Sequence, residues 1–229
     1  MSQQQPFSGG LDAWIETLST NGGGWSADLR RAAATRYRDL GLPGRKDEDW
    51  RQINLSAISE IERRVPEAPA TLEADTIEQF AIADLDAIRV VLVDGFLVPE
   101  LSEISELPAG VTIESLYGAA EAGREPAVVG LRRDGGEQST SFEALNAAWF
   151  RDGLLLRVEA DAKVERPLHV LHVSTKHDQP TVVHPRIVVA AGRSAEMTVV
   201  EDHVVLDDSD DFVTAVVDLQ LDENAHVEW

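Results

Sequence analysis

Apolar residues recur at helical spacing over the first 40 residues of the chain. The spacing i, i+3, i+4, i+7 predicts a short amphipathic helix, whose apolar face consists of Leu11, Trp14, Ile15 and Leu18. A second helix is predicted from Ser26, a suitable N-cap, to Leu40, because Gly41 and Pro43 then stand where helices stop. Its packed face would consist of Trp25, Leu29, Ala33, Tyr37 and Leu40.

The period changes to that of strands at about residue 88. Residues 88–99 predict a β-hairpin, because two apolar runs flank the turn dipeptide Asp94-Gly95. Before this hairpin, a third short helix is predicted after Trp50, and residues 62–78 predict a linker. A short strand and a loop are predicted over residues 111–116 and a short apolar helix over residues 141–150, before strands and turns take over.

Three segments of the strand-rich part share one pattern. Each has apolar residues six and four positions before an alanine and another two positions after it. The alanines are Ala162, Ala195 and Ala225, which recur at nearly even spacing, and each follows a polar turn. A repeat of about 30 residues, made of short strands and small-residue corners, predicts a β-solenoid whose stacked coils bury the alternate apolar positions. An antiparallel sandwich with similar strands is the alternative.

Composition narrows the class of protein. The chain has 229 residues, 43% of them hydrophobic, which suffices for one or two domains with a core. It contains no cysteine, so it cannot ligate zinc or an iron–sulfur cluster through thiolates. Asp and Glu number 41 against 20 Lys and Arg, and this acidic balance argues against a nucleic-acid partner. The sequence shows no membrane-spanning stretch and no secretory signal, so a cytoplasmic location is expected.

No catalytic centre stands out in the sequence. A nucleophile elbow is absent, and residues 130–136 lack the Gly-Lys-Ser/Thr ending of a phosphate-binding loop. The run of aspartates over residues 207–211 lacks the spacing of a calcium-binding EF-hand and is interpreted as a solvated turn. We therefore predict no catalytic, cofactor-binding or metal-binding residue in this chain.

The histidines are candidate metal ligands, but we interpret them mainly as packing or surface residues. His169 and His172 lie three apart in a predicted strand, so they should point to opposite faces and cannot chelate one ion. One further arrangement is a stack along the solenoid of His184, His203 and His226. In addition, Arg186 is expected to pair with Glu201 on a neighbouring coil.

Several motifs, in this order, resemble the SufB/SufD family of iron–sulfur cluster assembly proteins, and most of all its SufD branch. The most specific is a Gly-Leu-Pro turn followed by an acidic segment that ends in Trp-Arg. A strand-Gly-strand segment, a Leu-Asn-x-Ala helix and a His-Pro-Arg triplet follow it. The residues that carry the resemblance are Gly41, Leu42, Pro43, Asp49, Trp50, Arg51, Gly95, Leu145, Asn146, Gly153, Pro167, His184, Pro185, Arg186 and Glu201.

The resemblance implies a mixed α/β fold: an N-terminal helical region followed by a right-handed parallel β-helix. It further implies a non-catalytic scaffold subunit that pairs with a SufB-like scaffold and a SufC-like ATPase. The iron–sulfur cluster would then be handled by the complex and ATP by the partner ATPase, with no cofactor bound by this chain. A carbohydrate-active β-helix protein, of the lyase or glycosidase kind, is the alternative.

The expected organisation has three parts. Residues 1–80 would form the helical domain with its linker, residues 81–152 the strand, loop and short-helix region that follows, and residues 153–229 the first coils of the β-helix. The pattern ends inside the third repeat, so we expect a longer protein whose C-terminal part, with much of its docking surface, is missing here. Pairing of exposed strand edges would otherwise favour a homodimer.

Overall fold

A computed structural model describes residues 25–45, 47–55, 58, 63–124, 127, 140–209 and 211–229. Within them the chain is a mixed α/β structure, with helices beside three β-sheets. The α-helices are α1 (Trp25–Leu40), α2 (Ala74–Glu78), α3 (Leu116–Glu121) and α4 (Ser141–Trp149), and two 3-10 helices span Glu48–Trp50 and Pro99–Leu101. The strands are β1 (Ile88–Val93), β2 (Phe96–Leu97), β3 (Val111–Ser115), β4 (Leu154–Val158), β5 (Leu168–Ser174), β6 (Val182–Val183), β7 (Arg186–Ala191), β8 (Glu196–Val205), β9 (Phe212–Val213), β10 (Val216–Leu221) and β11 (His226–Glu228).

Strands from successive repeats lie side by side in the same sheet. The five-stranded sheet has the order β11-β8-β5-β1-β2, the four-stranded sheet β10-β7-β4-β3, and β6 pairs with β9. The pairs formed among β4 to β11 are parallel, whereas β1 with β2 and β3 with β4 are antiparallel. For this part of the described chain, the alternative of an antiparallel sandwich is therefore wrong.

The register of the predicted repeat is confirmed. Val189 of β7 lies between Leu156 of β4 and Leu219 of β10. On the other sheet, Met197 of β8 is opposite Val227 of β11. Equivalent apolar positions thus stack on one another across successive repeats, which explains why the sequence repeats them.

The corner before each repeat alanine has a left-handed residue. The residues that precede Ala162, Ala195 and Ala225 have φ values of 62°, 56° and 58°, and they are Asp161, Ser194 and Asn224. Asn and Asp tolerate this conformation better than most residues, because their short polar side chains bond to the local backbone. Ala195 itself is fully buried, so a small side chain is required where the strands turn.

The main core lies between the two large sheets. Its buried residues come from both sheets and are mostly branched aliphatic side chains. They include Val90, Leu92, Leu154, Leu156, Leu168, Val170, Ile187, Val189, Met197 and Val199. Because strands alternate their side chains between two faces, Leu168 and Val170 of β5 and Met197 and Val199 of β8 point into this core.

A second core joins α1 to α4 and the edge of β6. Ala33 and Tyr37 of α1 are fully buried against the alanine-rich face of α4. Leu40, which the helical spacing places on this face, is 40% exposed. The packed face of α1 therefore ends at Tyr37, one turn before the helix does.

Predictions for the connections hold in part. The hairpin is confirmed, because β1 and β2 pair antiparallel across Asp94 and Gly95, both of which have positive φ. The loop predicted to follow β3 is wrong, since the Ser115 hydroxyl accepts a hydrogen bond from Gly118 N and caps helix α3. The short helix α2 lies inside the predicted linker.

The predicted helix with the Leu11–Leu18 face lies outside the described residues. Of the helix predicted after Trp50, residues 56–57 and 59–62 also lie outside them. Among the helices that the structure describes, none has both the length and the apolar character needed to cross a membrane.

Candidate functional site

The Gly-Leu-Pro turn fastens the end of α1 to the start of α4. Gly41 has a φ of 67° and its N–H donates to Tyr37 O at 2.7 Å, which closes the helix at a residue that tolerates this conformation. The Ser141 hydroxyl donates to Gly41 O, and the Trp50 ring lies 5.0 Å from that of Phe142. These contacts are structural. Close to them in the sequence, Leu42 and Pro43 are half-buried, whereas Asp49 and Arg51 are exposed.

Asn146 on α4 is the centre of a buried polar junction. Its Nδ2 donates to the carbonyl of Pro185 at 3.0 Å and to that of Thr214 at 2.7 Å. Its Oδ1 accepts a hydrogen bond from Arg186 Nη1 at 2.9 Å. Both carbonyls lie just before a strand of the four-stranded sheet, in successive repeats, so one fully buried side chain ties the helix to two of them.

Arg186 is fully buried beside this junction. Burial lowers the pKa of its guanidinium to about 10, against the opposing influence of Asp218, so the group stays cationic at neutral pH. Gly153 lies against the same residue, because a Cβ at Gly153 would be 1.9 Å from Arg186 O. Leu145, next to Asn146, is fully buried in the helical core. The Leu-Asn-x-Ala helix and the His-Pro-Arg triplet are thus parts of one packed unit.

His184 also belongs to this unit. Its ring lies 5.5 Å from that of Trp149, and its Nδ1 lies 2.6 Å from Thr214 Oγ1. Burial, and to a lesser extent the charge of Arg151, lower the pKa of His184 to about 3. The imidazole is therefore neutral at physiological pH, which suits a packing role.

Gly95 and Pro167, two more of the residues that carry the family resemblance, lie at the ends of strands in the five-stranded sheet. Gly95 has a φ of 85°, and a Cβ there would lie 3.0 Å from a methyl group of Val183. Asp94, its neighbour in the turn, is buried and accepts hydrogen bonds from the backbone and the hydroxyl of Thr175. The Pro167 carbonyl accepts a hydrogen bond from Ile88 N at 2.8 Å, where β1 and β5 begin.

Two predicted groupings are wrong. Arg186 does not pair with Glu201, because the arginine is in the four-stranded sheet and the glutamate in the five-stranded one. The stack of His184, His203 and His226 does not form either. His203 is opposite His172, His226 is opposite Glu196, and His184 contacts Thr214.

A different cluster is formed by His172, Glu201 and His203. Glu201 Oε1 lies 3.0 Å from His172 Nε2 and 3.2 Å from His203 Nε2. The two imidazole rings are stacked, with 4.2 Å between centroids and 3° between planes. One ligand atom from each residue lies within 4.8 Å of the others, so the group could hold a metal ion. It is the one such group found among the described residues.

The environment sets the charge of this cluster. Burial lowers the pKa of His172, although Glu201 opposes the shift. Contacts from His172, and next from His203, hold the pKa of Glu201 well below its ordinary value. At neutral pH the structure therefore contains an ionised carboxylate beside a neutral, buried imidazole.

On the opposite face of β5 and β8, a histidine and an aspartate form a pair. His169 Nε2 lies 2.9 Å from Asp202 Oδ2, so His169 and His172 contact acids on opposite faces of β5 and β8. The prediction that these two histidines diverge is confirmed.

Sequence reasoning missed the cluster because of a small change in repeat length. His172 and His203 are directly opposite each other, yet their separation along the chain is shorter than that between Ala162 and Ala195. The alanine spacing, applied to His172, would have placed Val205 beside it and not His203. The alternation of β8 could still have placed Glu201 and His203 on one face, because they are two positions apart.

Comparison with known proteins identifies a family and two relatives that this chain resembles. A family model described as the SufBD protein N-terminal region matches residues 16–170. An iron–sulfur cluster assembly SufBD family protein of Synechocystis sp. is 30% identical over 176 residues, covering 76% of this chain and 38% of that protein. The iron–sulfur cluster assembly protein SufD of Escherichia coli is 24% identical over 223 residues, covering 96% of this chain and 49% of that protein.

The chain therefore spans less than half of the length of either relative. The order of its motifs, from the Gly-Leu-Pro turn to the Leu-Asn-x-Ala helix, lies within the matched region. Because the family model matches more than half of the 229 residues, the chain belongs to the SufBD family.

Proposed function

We propose that this protein is a SufD-like, non-catalytic scaffold subunit of an iron–sulfur cluster assembly complex in the cytoplasm. The observation that carries the proposal is the family match over residues 16–170, together with two relatives whose names describe iron–sulfur cluster assembly. In this proposal the chain pairs with a SufB-like scaffold and a SufC-like ATPase, and binds neither ATP nor the finished cluster through its own side chains.

The fold supports a role as a platform. Parallel sheets in which successive repeats lie side by side are what stacked coils produce, and we propose that they form a right-handed β-helix. The polar junction at Asn146 and the histidine His184 are buried, so their hydrogen bonds serve the fold and are not open to a substrate. Residues 1–80, 81–152 and 153–229 remain our proposed division, although β1 and β3 already belong to the two large sheets.

The test is to place an affinity tag on the native protein in its source organism and identify what co-purifies. We expect the SufB and SufC homologues of that organism to co-purify with it, and neither to co-purify with an unrelated acidic protein that carries the same tag. Depleting the protein should also lower the activity of iron–sulfur enzymes such as aconitase. If the tagged protein is recovered without either homologue, the proposal is refuted. Depolymerisation of a polysaccharide by the purified protein would favour the carbohydrate-active alternative.

A further inference from the structure

The cluster of His172, Glu201 and His203 is built on a rigid frame. β5 and β8 are parallel neighbours, and their register sets His172 directly opposite His203. Glu201 precedes His203 by two positions, so strand alternation puts its side chain on the same face. Three donor groups therefore converge because of the sheet itself and do not depend on the conformation of a loop.

His172 has no hydrogen bond that would explain its burial. Only 6% of the residue is exposed, and neither of its ring nitrogens has a hydrogen-bond partner. Its Nε2 is 3.0 Å from Glu201 Oε1, so the carboxylate is the charged group that faces this nitrogen. Buried imidazoles are normally satisfied by a partner. A cation between the nitrogen and the carboxylate would supply one.

Glu201 is oriented for a shared ligand. The indole N–H of Trp229 donates to Oε2 at 2.9 Å, which fixes the carboxylate and leaves Oε1 toward the two imidazoles. Such outer hydrogen bonds are the usual means by which proteins position metal-binding side chains.

His203 supplies the freedom that binding would require. Its ring is parallel to that of His172, so the lone pairs of the two nitrogens do not point at one another. The His203 side chain is 46% exposed, whereas that of His172 is 7% exposed. A small rotation of His203 toward Glu201 would complete the site while His172 stays fixed.

The donor set indicates the class of ion. Two imidazoles and one carboxylate suit first-row transition metals, whereas Ca²⁺ and Mg²⁺ prefer sites made of oxygen ligands. Three protein ligands leave coordination positions for water or an exchangeable group. We propose that His172, Glu201 and His203 form a binding site for a divalent first-row transition-metal ion. This inference concerns the chain alone and does not rest on the proposed scaffold function.

The test is titration of the purified, chelator-treated chain with Co²⁺, followed by its visible absorption and by calorimetry, with Zn²⁺ added as a competitor. We expect one ion per chain. The variant His203→Gln should lower the affinity by at least about tenfold, and Glu201→Gln should do the same. His226→Gln is the matched control, because His226 is also an exposed histidine on a strand of this sheet. The affinity of this control variant for Co²⁺ should be unchanged.

Circular dichroism of each variant keeps loss of binding separate from loss of fold. His203 is the preferred position because it is exposed and its replacement leaves the core untouched. The proposal is overturned if Co²⁺ and Zn²⁺ do not bind, or if they bind equally well to His203→Gln and Glu201→Gln. Since no partner protein enters the assay, failure here leaves the scaffold proposal intact.

Discussion

Replacing Asn146 by alanine should remove the link between α4 and the sheets. The side chain makes three hydrogen bonds, all buried, to the carbonyls of Pro185 and Thr214 and to the guanidinium of Arg186. After Asn146→Ala, the two carbonyls and the guanidinium would remain buried but would lose their hydrogen bonds to the carboxamide. Water cannot replace it without opening the interface between the helix and the sheet.

The magnitude follows from the three bonds. A hydrogen bond to a charged group contributes about 1.5–3 kcal/mol and a neutral one about 1 kcal/mol. One of the former and two of the latter add up to about 4 kcal/mol of unfolding free energy. For a chain of this size, each kcal/mol lowers Tm by about 2–4 °C, so Tm should fall by about 8–16 °C.

Urea denaturation at pH 7, followed by tryptophan fluorescence and circular dichroism, measures this loss. The control is Gln79→Ala, which removes the same carboxamide group where its one described hydrogen bond, to Thr76 O, is exposed. We expect the control to cost less than about 0.5 kcal/mol. If Asn146→Ala costs no more than Gln79→Ala, the junction does not hold the helix to the sheets and our reasoning is refuted.

Two further predictions concern the same region. Gly153→Ala should cost about 3 kcal/mol or more, because its Cβ would lie 1.9 Å from a backbone oxygen of Arg186 that cannot move alone. Gly44→Ala, with no atom within 4 Å of the new Cβ, should be nearly neutral in the same urea assay, and equal losses for both variants would contradict the steric argument. The second prediction is a loss of stability in acid due to His184. Its folded-state pKa of about 3 lies below the ordinary 6.5, so as the pH falls the unfolded chain takes up the proton first. The contribution of His184 to the free energy of unfolding is therefore complete above pH 6.5 and declines as the pH falls toward 3. About 2 kcal/mol of it is lost by pH 5. His184→Gln should lose that much less than the parent between pH 7 and pH 5, and identical losses would show that His184 is not the cause.

Sequence patterns were most reliable where the signal is local or repeated. The Asp94-Gly95 hairpin followed from the need for positive φ at both turn residues. The helix at Ser141–Trp149 and the stop at Gly41 also followed from local chemistry. The solenoid-like register followed from the alanine repeat, because equivalent positions must face the same core when coils stack. Family membership followed from the order of several short motifs, each of which is weak alone.

Which polar groups meet is set by strand pairing and burial and not by the sequence pattern. Arg186 and Glu201 looked like partners in the sequence, but they belong to different sheets. His172 is opposite His203 because fewer residues separate these two partners than separate the partners at the alanine corner, where Lys163 bridges to Glu196. A shift of one residue in a strand reverses the face of every side chain, so small changes in repeat length decide every such contact. The sequence patterns predicted the hairpin, the strand repeat and the family, but they missed helices α2 and α3. Burial and register, which arise only when the strands pair, decided that Asn146 is a junction and that Glu201 gathers two histidines.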